Sequence, residues 1–208
     1  MRRLARVPGG RAGVSHPALL VIDPQLDFLA LVEAGSPQTC GPRDALAGMA
    51  RLITAARFAG TPVVVTQELH RPGAVDFGRE LDGDEPVHCV EGTPGAELLE
   101  ALRPGPSEHL VRKRRYSAFF ATDLDLLLRG LAVDAVVVCG LLSDVCVHYT
   151  CVDAHQLDLH VHVVPEACAG SSAGASLAAF AAVEYLQRGA ILTLNGAVGR
   201  LAGSAALP

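Results

Sequence analysis

Short runs of apolar, mostly β-branched residues alternate along this chain with longer segments of helical spacing. The runs lie at residues 18–22, 62–66, 109–112, 135–139, 160–164 and 190–194. Within them apolar residues follow one another almost without interruption, which is typical of strands buried on both faces. The pattern therefore predicts six strands in a mainly parallel sheet.

The segments between these runs predict the helices. Apolar residues spaced as on one helix face run from Leu46 to Ala56, and Gly60 ends that helix. Further helices are predicted over residues 125–131, 145–157 and 177–186. Because strand–helix alternation places helices on both faces of a parallel sheet, the predicted fold class is α/β, a Rossmann-like three-layer α/β/α sandwich.

One long segment departs from the alternation of strands and helices. It is rich in Gly, Pro, Asp and Glu and runs from Glu68 to Gly95. Loops of such length inside a compact domain are uncommon and often functional. We expect a single domain over residues 17–201, flanked by tails at 1–16 and 202–208.

Composition narrows the class of protein. Seventeen Lys and Arg against 22 Asp and Glu give a net charge of −5, which argues against a dedicated nucleic-acid binder. No apolar run approaches the ~18 residues that cross a bilayer. The basic N-terminus lacks the apolar core of a secretory signal. We therefore expect a cytoplasmic protein with neither nucleic-acid nor membrane partners.

Candidate chemistry lies where the predicted strands end, because ligands of parallel sheets bind beyond the carboxyl ends of the strands. One such residue is Cys146, in the predicted first turn of a helix that Ser143 is placed to cap. There the helix dipole and a nearby ammonium would lower the pKa of a thiol toward ~7 and make it a nucleophile. The alternative is a small apolar residue in the core, which is the role we expect for Cys139, Cys151 and Cys168.

Two further strand ends carry charge. Asp23 directly follows a buried strand and is interpreted as a general base or as a turn residue. Residues 112–115 read Arg-Lys-Arg-Arg and form either a solvated face or an anion patch. If one of them serves catalysis, Lys113 is favoured, since an ammonium is a compact point charge.

A fourth group has the composition of a metal site. Glu68 and His70 lie two residues apart on an extended segment, and Asp76 and His88 follow in the long loop. Carboxylates and imidazoles of this kind suit Zn²⁺, Mn²⁺ or Fe²⁺. We regard these four residues as candidate ligands.

Three motifs follow one another along the chain: Leu-Leu-Val-Ile-Asp23-Pro-Gln25, then Lys113-Arg-Arg-Tyr116-Ser-Ala-Phe, then Gly140-Leu-Leu-Ser-Asp-Val-Cys146. In this order they resemble the isochorismatase-like cysteine hydrolases, a superfamily that includes nicotinamidases and N-carbamoylsarcosine amidases. The similarity covers roughly residues 17–195.

The resemblance implies an Asp–Lys–Cys triad, which falls on Asp23, Lys113 and Cys146. It also implies an oxyanion hole from the backbone N–H groups of Leu142 and Cys146, with a cis peptide between Leu141 and Leu142. The implied reaction is attack of the thiolate on a carboxamide, loss of ammonia and hydrolysis of the thioester. Isochorismatase itself cleaves a vinyl ether without a thiol, so the cysteine favours amide hydrolysis.

Nicotinamidases of this superfamily bind a metal. By their place in the sequence, the residues that match their metal ligands are Glu68, His70, Asp76 and His88. Two departures stand out: a Glu at the first ligand position where Asp is usual, and the absence of any Trp to stack on the pyridine ring. The substrate pocket is expected to include Phe28, Tyr116, Gln25 and Arg79, the last as a carboxylate clamp.

Three hypotheses follow. The leading one is a cysteine amidohydrolase that releases ammonia from a small carboxamide, nicotinamide among the candidates, or from an N-carbamoyl or ureido compound without metal. The second is a metal-dependent hydrolase that does not use the thiol. The third is a non-catalytic scaffold. Because superfamily members are commonly oligomeric and the helix over residues 176–186 is rich in Ala, we also expect a homo-oligomer, a dimer or tetramer.

Overall fold

The computed structural model describes residues 15–35 and 40–203. Its centre is a five-stranded, fully parallel sheet in the order β3-β2-β1-β4-β5. The strands are β1 (Pro17–Ile22), β2 (Val63–Glu68), β3 (His109–Lys113), β4 (Ala135–Leu141) and β5 (His160–Ala169). Strands β1, β2 and β4 are buried along their whole length, as their uninterrupted apolar runs predict.

Six α-helices in the described part of the chain cover the sheet. They are α1 (Leu26–Ala34), α2 (Pro42–Ala59), α3 (Leu124–Gly130), α4 (Cys146–Gln156), α5 (Ala173–Leu186) and α6 (Leu194–Ala202). Helix α2 packs against α6, and α4 packs against α5. The predicted α/β class and three-layer arrangement are thereby confirmed. Most of the predicted tails lies outside the described residues.

The predicted sixth strand is wrong. Residues 190–194 make only an isolated bridge, in which Ile191 pairs with Val163 of β5. Thr193 then caps the N-terminus of α6 through its side chain, which accepts from the Gly196 N–H. Because the helix begins there, the extended segment is too short to continue the ladder. Helices α1 and α6 were not predicted.

The order of the strands determines where a site can form. From β1 the chain moves outward through β2 to β3 and then returns to β4 on the other side of β1. Parallel sheets place their ligand crevice at such a reversal, beyond the carboxyl ends of the two strands. Asp23 follows β1 and Cys146 follows β4, so both lie at this position.

Two surface properties bear on the expected partners. Among the described helices, none is both long and apolar enough to span a membrane. The outward side of α5 exposes Leu177 and Tyr185, whose relative exposures are 60% and 88%. The expectation of a homo-oligomer stays a prediction.

Gly140 allows β1 and β4 to approach closely. Its φ is +134°, and a Cβ at this position would lie 2.2 Å from the carbonyl oxygen of Ile22. The register between β4 and β5 also shifts between Val138 and Gly140. Only glycine satisfies both the backbone conformation and the contact.

We predict that Gly140→Ala lowers the free energy of unfolding by about 3 kcal/mol or more, because a side chain there meets backbone atoms that have no room to move. Gly130→Ala is the matched control, since nothing lies within 4 Å of the added Cβ. Urea unfolding of both variants measures the difference. Equal stabilities would contradict the assigned contact.

Candidate active site

Asp23 is fixed in position at the end of β1. It is fully buried and its φ is +45°. Its backbone N–H donates to Thr66 Oγ1 at 3.0 Å, and the Thr66 hydroxyl donates to Asp23 Oδ1 at 2.6 Å. These two bonds to the neighbouring strand hold the carboxylate at one orientation and leave Oδ2 for another partner.

That partner is Lys113, the last residue of β3, whose side chain is also buried. Its Nζ lies 2.7 Å from Asp23 Oδ2 and 3.4 Å from Cys146 Sγ. The same ammonium donates to the carbonyl oxygen of Arg115 at 3.0 Å and to Glu68 Oε2. The three residues that the resemblance singles out are thus in contact through one ammonium.

Cys146 is the first residue of α4 and is 1% exposed. The turn before it is tight, because the carbonyl oxygen of Leu142 accepts from the N–H groups of both Val145 and Val147. The peptide between Leu141 and Leu142 is cis, as the resemblance implies. This turn brings the backbone of Leu142 next to the first turn of α4.

Two expectations about the Cys146 helix need correction. Ser143 does not cap α4: its hydroxyl bonds to Ser176 at 2.7 Å, and the N-cap residue, Val145, has no side-chain bond. The pKa of the thiol is not lowered. Burial raises it well above its ordinary value and the carboxylates of Glu68 and Asp23 add to this, although Lys113 opposes them.

Glu68 joins the two halves of the site. Its Oε1 lies 2.9 Å from His88 Nε2 and 3.3 Å from His70 Nε2. Its Oε2 contacts Lys113 and lies 3.8 Å from Cys146 Sγ. Glu68, which the sequence indicated only as a candidate ligand, therefore also contacts Lys113 and Cys146.

The histidines and carboxylates form a compact group of potential ligands, but its fourth member differs from the prediction. Glu68, His70, Glu80 and His88 offer donor atoms that all lie within 4.8 Å of one another. All four are buried, and Glu80 Oε1 has no hydrogen-bond partner among the described residues. Such a set fits a divalent cation.

Asp76, the predicted fourth ligand, lies behind His70 instead. Its Oδ1 is 3.5 Å from His70 Nδ1, on the opposite side of the ring from the other donors. It also pairs with Arg71 and Arg114 at 3.1 Å. From this position Asp76 would orient the His70 imidazole and would not reach an ion held among the other donors.

Two aromatic rings wall the histidines. Phe77 stacks on His70 with the ring centroids 3.8 Å apart, and Phe28 lies 5.2 Å from His88. Both phenylalanines are 1% exposed. The sequence indicated Phe28 as a pocket residue but gave no signal for Phe77 or Glu80, whose positions depend on how the long loop folds.

The other three residues predicted to line the pocket occupy different places in the structure. The Gln25 amide is buried and bonds to the backbone N–H and carbonyl of Glu68 and to the carbonyl of Ala96, each at 2.8 Å. The Arg79 side chain is 93% exposed and pairs with Asp82, so it does not reach the site. Tyr116 remains half-buried near the nucleophile.

The four basic residues at positions 112–115 differ in their surroundings: the ammonium of Lys113 is buried, and the other three side chains are guanidinium groups outside the core. Arg112 is exposed. Arg114 donates to the carbonyl of Leu69 and to Asp76, while Arg115 donates to backbone carbonyls of residues 76 and 114. Of the four cations, Lys113 alone contacts Cys146.

Comparison with known proteins agrees with this geometry. A sequence model of the Isochorismatase domain matches residues 17–195. The chain belongs to the isochorismatase family.

Three relatives illustrate the range of this family. Streptothricin hydrolase of Streptomyces noursei is 38% identical over 71% of this chain and 47% of its own length. Nicotinamidase of Escherichia coli strain K12 is 31% identical over 84% of this chain and 93% of its own. The structure of Pyrococcus horikoshii pyrazinamidase in complex with zinc is 27% identical, with a TM-score of 0.72 over 86% of this chain and 98% of its own. The chain thus spans about half the length of the first relative and nearly all of the other two.

The charges of this isochorismatase-family site depend on one another. Burial opposes the charge of Lys113, but its interactions with Asp23, Cys146 and Glu68 raise the pKa of its ammonium well above the ordinary value. Burial would likewise raise the pKa of Glu68, yet Lys113 and hydrogen bonds from His70 and His88 hold it well below its usual range. For Asp23, burial prevails over Lys113 and raises the pKa of the carboxyl.

We predict that Lys113→Met lowers the free energy of unfolding by about 3–5 kcal/mol, because it leaves two buried carboxylates without their cation. Arg112→Met, on the exposed face of the same strand, is the control and is expected to change stability by about 0.5 kcal/mol at most. Thermal and urea unfolding at neutral pH measure both variants. A stable Lys113→Met protein would show that the carboxylates do not need this partner.

Proposed function

We propose that this protein is a cysteine amidohydrolase that cleaves the C–N bond of a small carboxamide or N-carbamoyl compound through a thioester on Cys146. The observation that supports it is the contact of Lys113 Nζ with Asp23 Oδ2 at 2.7 Å and with Cys146 Sγ at 3.4 Å. Three side chains from three strand ends meet at the crevice where parallel sheets bind ligands. A purely structural role would not require a buried thiol next to the ammonium of Lys113 and the carboxylate of Asp23.

The reaction that these groups support has two stages. The Cys146 sulfur attacks the carbonyl carbon as the thiol proton passes to Asp23, and the N–H groups of Leu142 and Cys146 stabilise the oxyanion. The C–N bond breaks while Asp23 returns the proton to the leaving nitrogen, which departs as ammonia or an amine. Water then attacks the thioester and gives a proton to Asp23. The C–S bond breaks, the acid is released, and the proton passes from Asp23 to the Cys146 sulfur to restore the thiol.

Asp23 suits the part of general base better than Glu68, the other carboxylate near the sulfur. The pKa of Glu68 is held low by Lys113 and two imidazoles, which makes this carboxylate a weak proton acceptor. Burial raises the pKa of Asp23, and Thr66 fixes its orientation. Because the pKa of the Cys146 thiol is raised as well, a base with a raised pKa is better able to accept its proton.

Nicotinamide is a candidate substrate, supported by the similarity to a nicotinamidase and to a pyrazinamidase. Two features separate this chain from the nicotinamidase pattern: Glu68 in place of Asp, and no Trp to stack on the ring. The alternative substrates are N-carbamoyl or ureido compounds.

We further propose that Glu68, His70, Glu80 and His88 hold a divalent ion, Zn²⁺, Mn²⁺ or Fe²⁺. A Lewis acid there would supply electrophilic assistance next to the nucleophile. The buried donor set and the zinc complex of a related pyrazinamidase support this assignment. The same donor set favours a second candidate function, a metal-dependent hydrolase in which the thiol is not used.

Cys146→Ala distinguishes these functions. We expect it to abolish ammonia release from a panel of nicotinamide, pyrazinamide, N-carbamoylsarcosine, ureidoacrylate and biuret, because no thioester forms. Cys151→Ala, one turn along the same helix and equally buried, is the control and should keep the activity. Activity that survives in Cys146→Ala but is lost on chelation would establish the metal-dependent alternative.

The ion is tested by titrating chelator-treated protein with Zn²⁺ in a calorimeter. We expect Glu80→Gln to raise the dissociation constant for Zn²⁺ at least about tenfold, because a ligating carboxylate is lost. Asp82→Asn, a neighbouring exposed carboxylate, is the control and should bind as the parent does. Equal affinity of Glu80→Gln and the parent would remove Glu80 from the ligand set.

A further inference from the structure

Two buried backbone donors lack an acceptor in the turn that leads into α4. The N–H groups of Leu142 and Cys146 have no hydrogen-bond partner in the described part of the chain, although both residues are buried. Buried backbone N–H groups in folded proteins are almost always paired. Two open donors beside the nucleophile are therefore suited to an oxyanion that forms only during the reaction, the role proposed for them above.

Both donors depend on the position of this turn, and its side-chain restraints come from outside α4. The N-cap residue of α4, Val145, makes no side-chain bond that would fix the start of the helix. The turn bonds instead to the segment that joins β5 to α5. The backbone N–H of Ser143 donates at 2.9 Å to the carbonyl oxygen of Ala169, the last residue of β5.

Two hydroxyl groups extend this contact into α5. Ser143 and Ser176 are 1% and 0% exposed, and their Oγ atoms lie 2.7 Å apart. The Ser176 hydroxyl donates its only hydrogen to the carbonyl oxygen of Ser172 at 2.8 Å. The hydrogen between the two serines therefore belongs to Ser143, which donates to Ser176. This bond ties the residue after Leu142 to a fixed point on α5.

A second contact runs beside the first. Asp144 Oδ1 accepts from the backbone N–H of Ser171 at 2.9 Å, and Asp144 Oδ2 accepts from the Ser171 hydroxyl. The packing between the two contacts is close, because a Cβ on Gly170 would lie 2.2 Å from Asp144 Oδ1 and 2.3 Å from Ser143 Oγ. Two successive residues of the turn are thus held by the same connection.

The sequence of α5 shows that Ser176 is out of place as a helix residue. The helix contains six alanines, and Ser176 is its only serine. Serine is a poorer helix former than alanine, and burying its hydroxyl is costly unless the hydroxyl is bonded. Ser143 and Ser176 bond to one another and to α5 and not to the reacting groups, so any part they take in the reaction is one of positioning.

We propose that the hydroxyls of Ser143 and Ser176 are positioning groups for the oxyanion hole. Through one hydrogen bond they hold the turn where its open N–H groups meet the developing oxyanion, and Asp144 gives the same turn a second restraint. This inference rests on the proposed amidohydrolase function. It makes the connection between β5 and α5, which is distant from Cys146 in the sequence, part of the machinery of the site.

Ser143→Ala and Ser176→Ala test the proposal, because each removes the bond without adding atoms to a packed region. Acylation of Cys146 by p-nitrophenyl acetate forms an oxyanion, releases p-nitrophenolate and leaves a thioester. Alkylation by iodoacetamide displaces iodide from a saturated carbon and forms no oxyanion. We expect each variant to slow acylation about tenfold and to change alkylation less than about twofold. Peptide mass spectrometry assigns both rates to Cys146.

The same split is expected in turnover. For the amide of the panel that the parent protein cleaves fastest, kcat should fall by a similar factor while KM changes less than about twofold. Because both hydroxyls act through one bond, the double variant Ser143→Ala/Ser176→Ala should be no slower than the more affected single variant. Losses that multiply would show that the serines do not act through their mutual bond, and would overturn the inference.

Ser172→Ala is the matched control. It makes the same chemical change one turn earlier, where the Ser172 side chain caps α5 by accepting from the N–H of Ala175 at 3.2 Å and does not bond to the turn. We expect it to lower stability and to leave both rates unchanged. A loss of activity that follows stability alone would affect this control as well, and would overturn the positioning role.

The outcomes separate the inference from the proposed function. Equal losses of acylation and alkylation, or an acylation rate that neither substitution changes, overturn the inference and leave the amidohydrolase intact. Acylation that depends on both serines, in a protein that hydrolyses no amide, supports the positioning role and overturns the proposed function. A Cys146 that is neither acylated by p-nitrophenyl acetate nor needed for amide hydrolysis overturns both.

Discussion

The buried ammonium of Lys113 is the interaction on which the rest of the site depends. An isolated charge of either sign would be costly at this depth, and so would the two carboxylates that flank it. Together they neutralise one another only in part, which leaves one negative charge close to the thiol. Burial, and then this remaining negative charge, raise the pKa of the Cys146 thiol.

Glu68 makes the cluster of His70, Glu80 and His88 and the thiol of Cys146 parts of one electrostatic unit. One of its oxygens faces the two histidines and the other faces Lys113 and Cys146. Any cation bound among the histidines therefore competes with Lys113 for the same carboxylate. An Asp at this position would be one methylene shorter and would reach only one of the two sides from the same backbone.

Strand ends, where local pattern determines position, made Asp23, Lys113 and Cys146 candidates, and the family resemblance joined them into one expected triad. Asp23 and Cys146 follow strands that are buried along their whole length, whereas Lys113 ends a strand in which only Val111 and Lys113 itself are buried. Glu80 and Phe77 lie in the long loop, whose path is set by contacts with His70 that periodicity does not encode. The same reason explains why Arg79 was misplaced and why Asp76 was taken for a ligand rather than for the carboxylate behind one.

The buried amide of Gln25 has a consequence for how this family diversifies. It binds the backbone of Glu68, where the long loop departs, and the carbonyl of Ala96, where the loop returns. Both ends are thus anchored to one buried side chain that follows β1. A loop held at both ends in this way can change in length and sequence without moving Cys146 or Lys113, which allows family members to differ there.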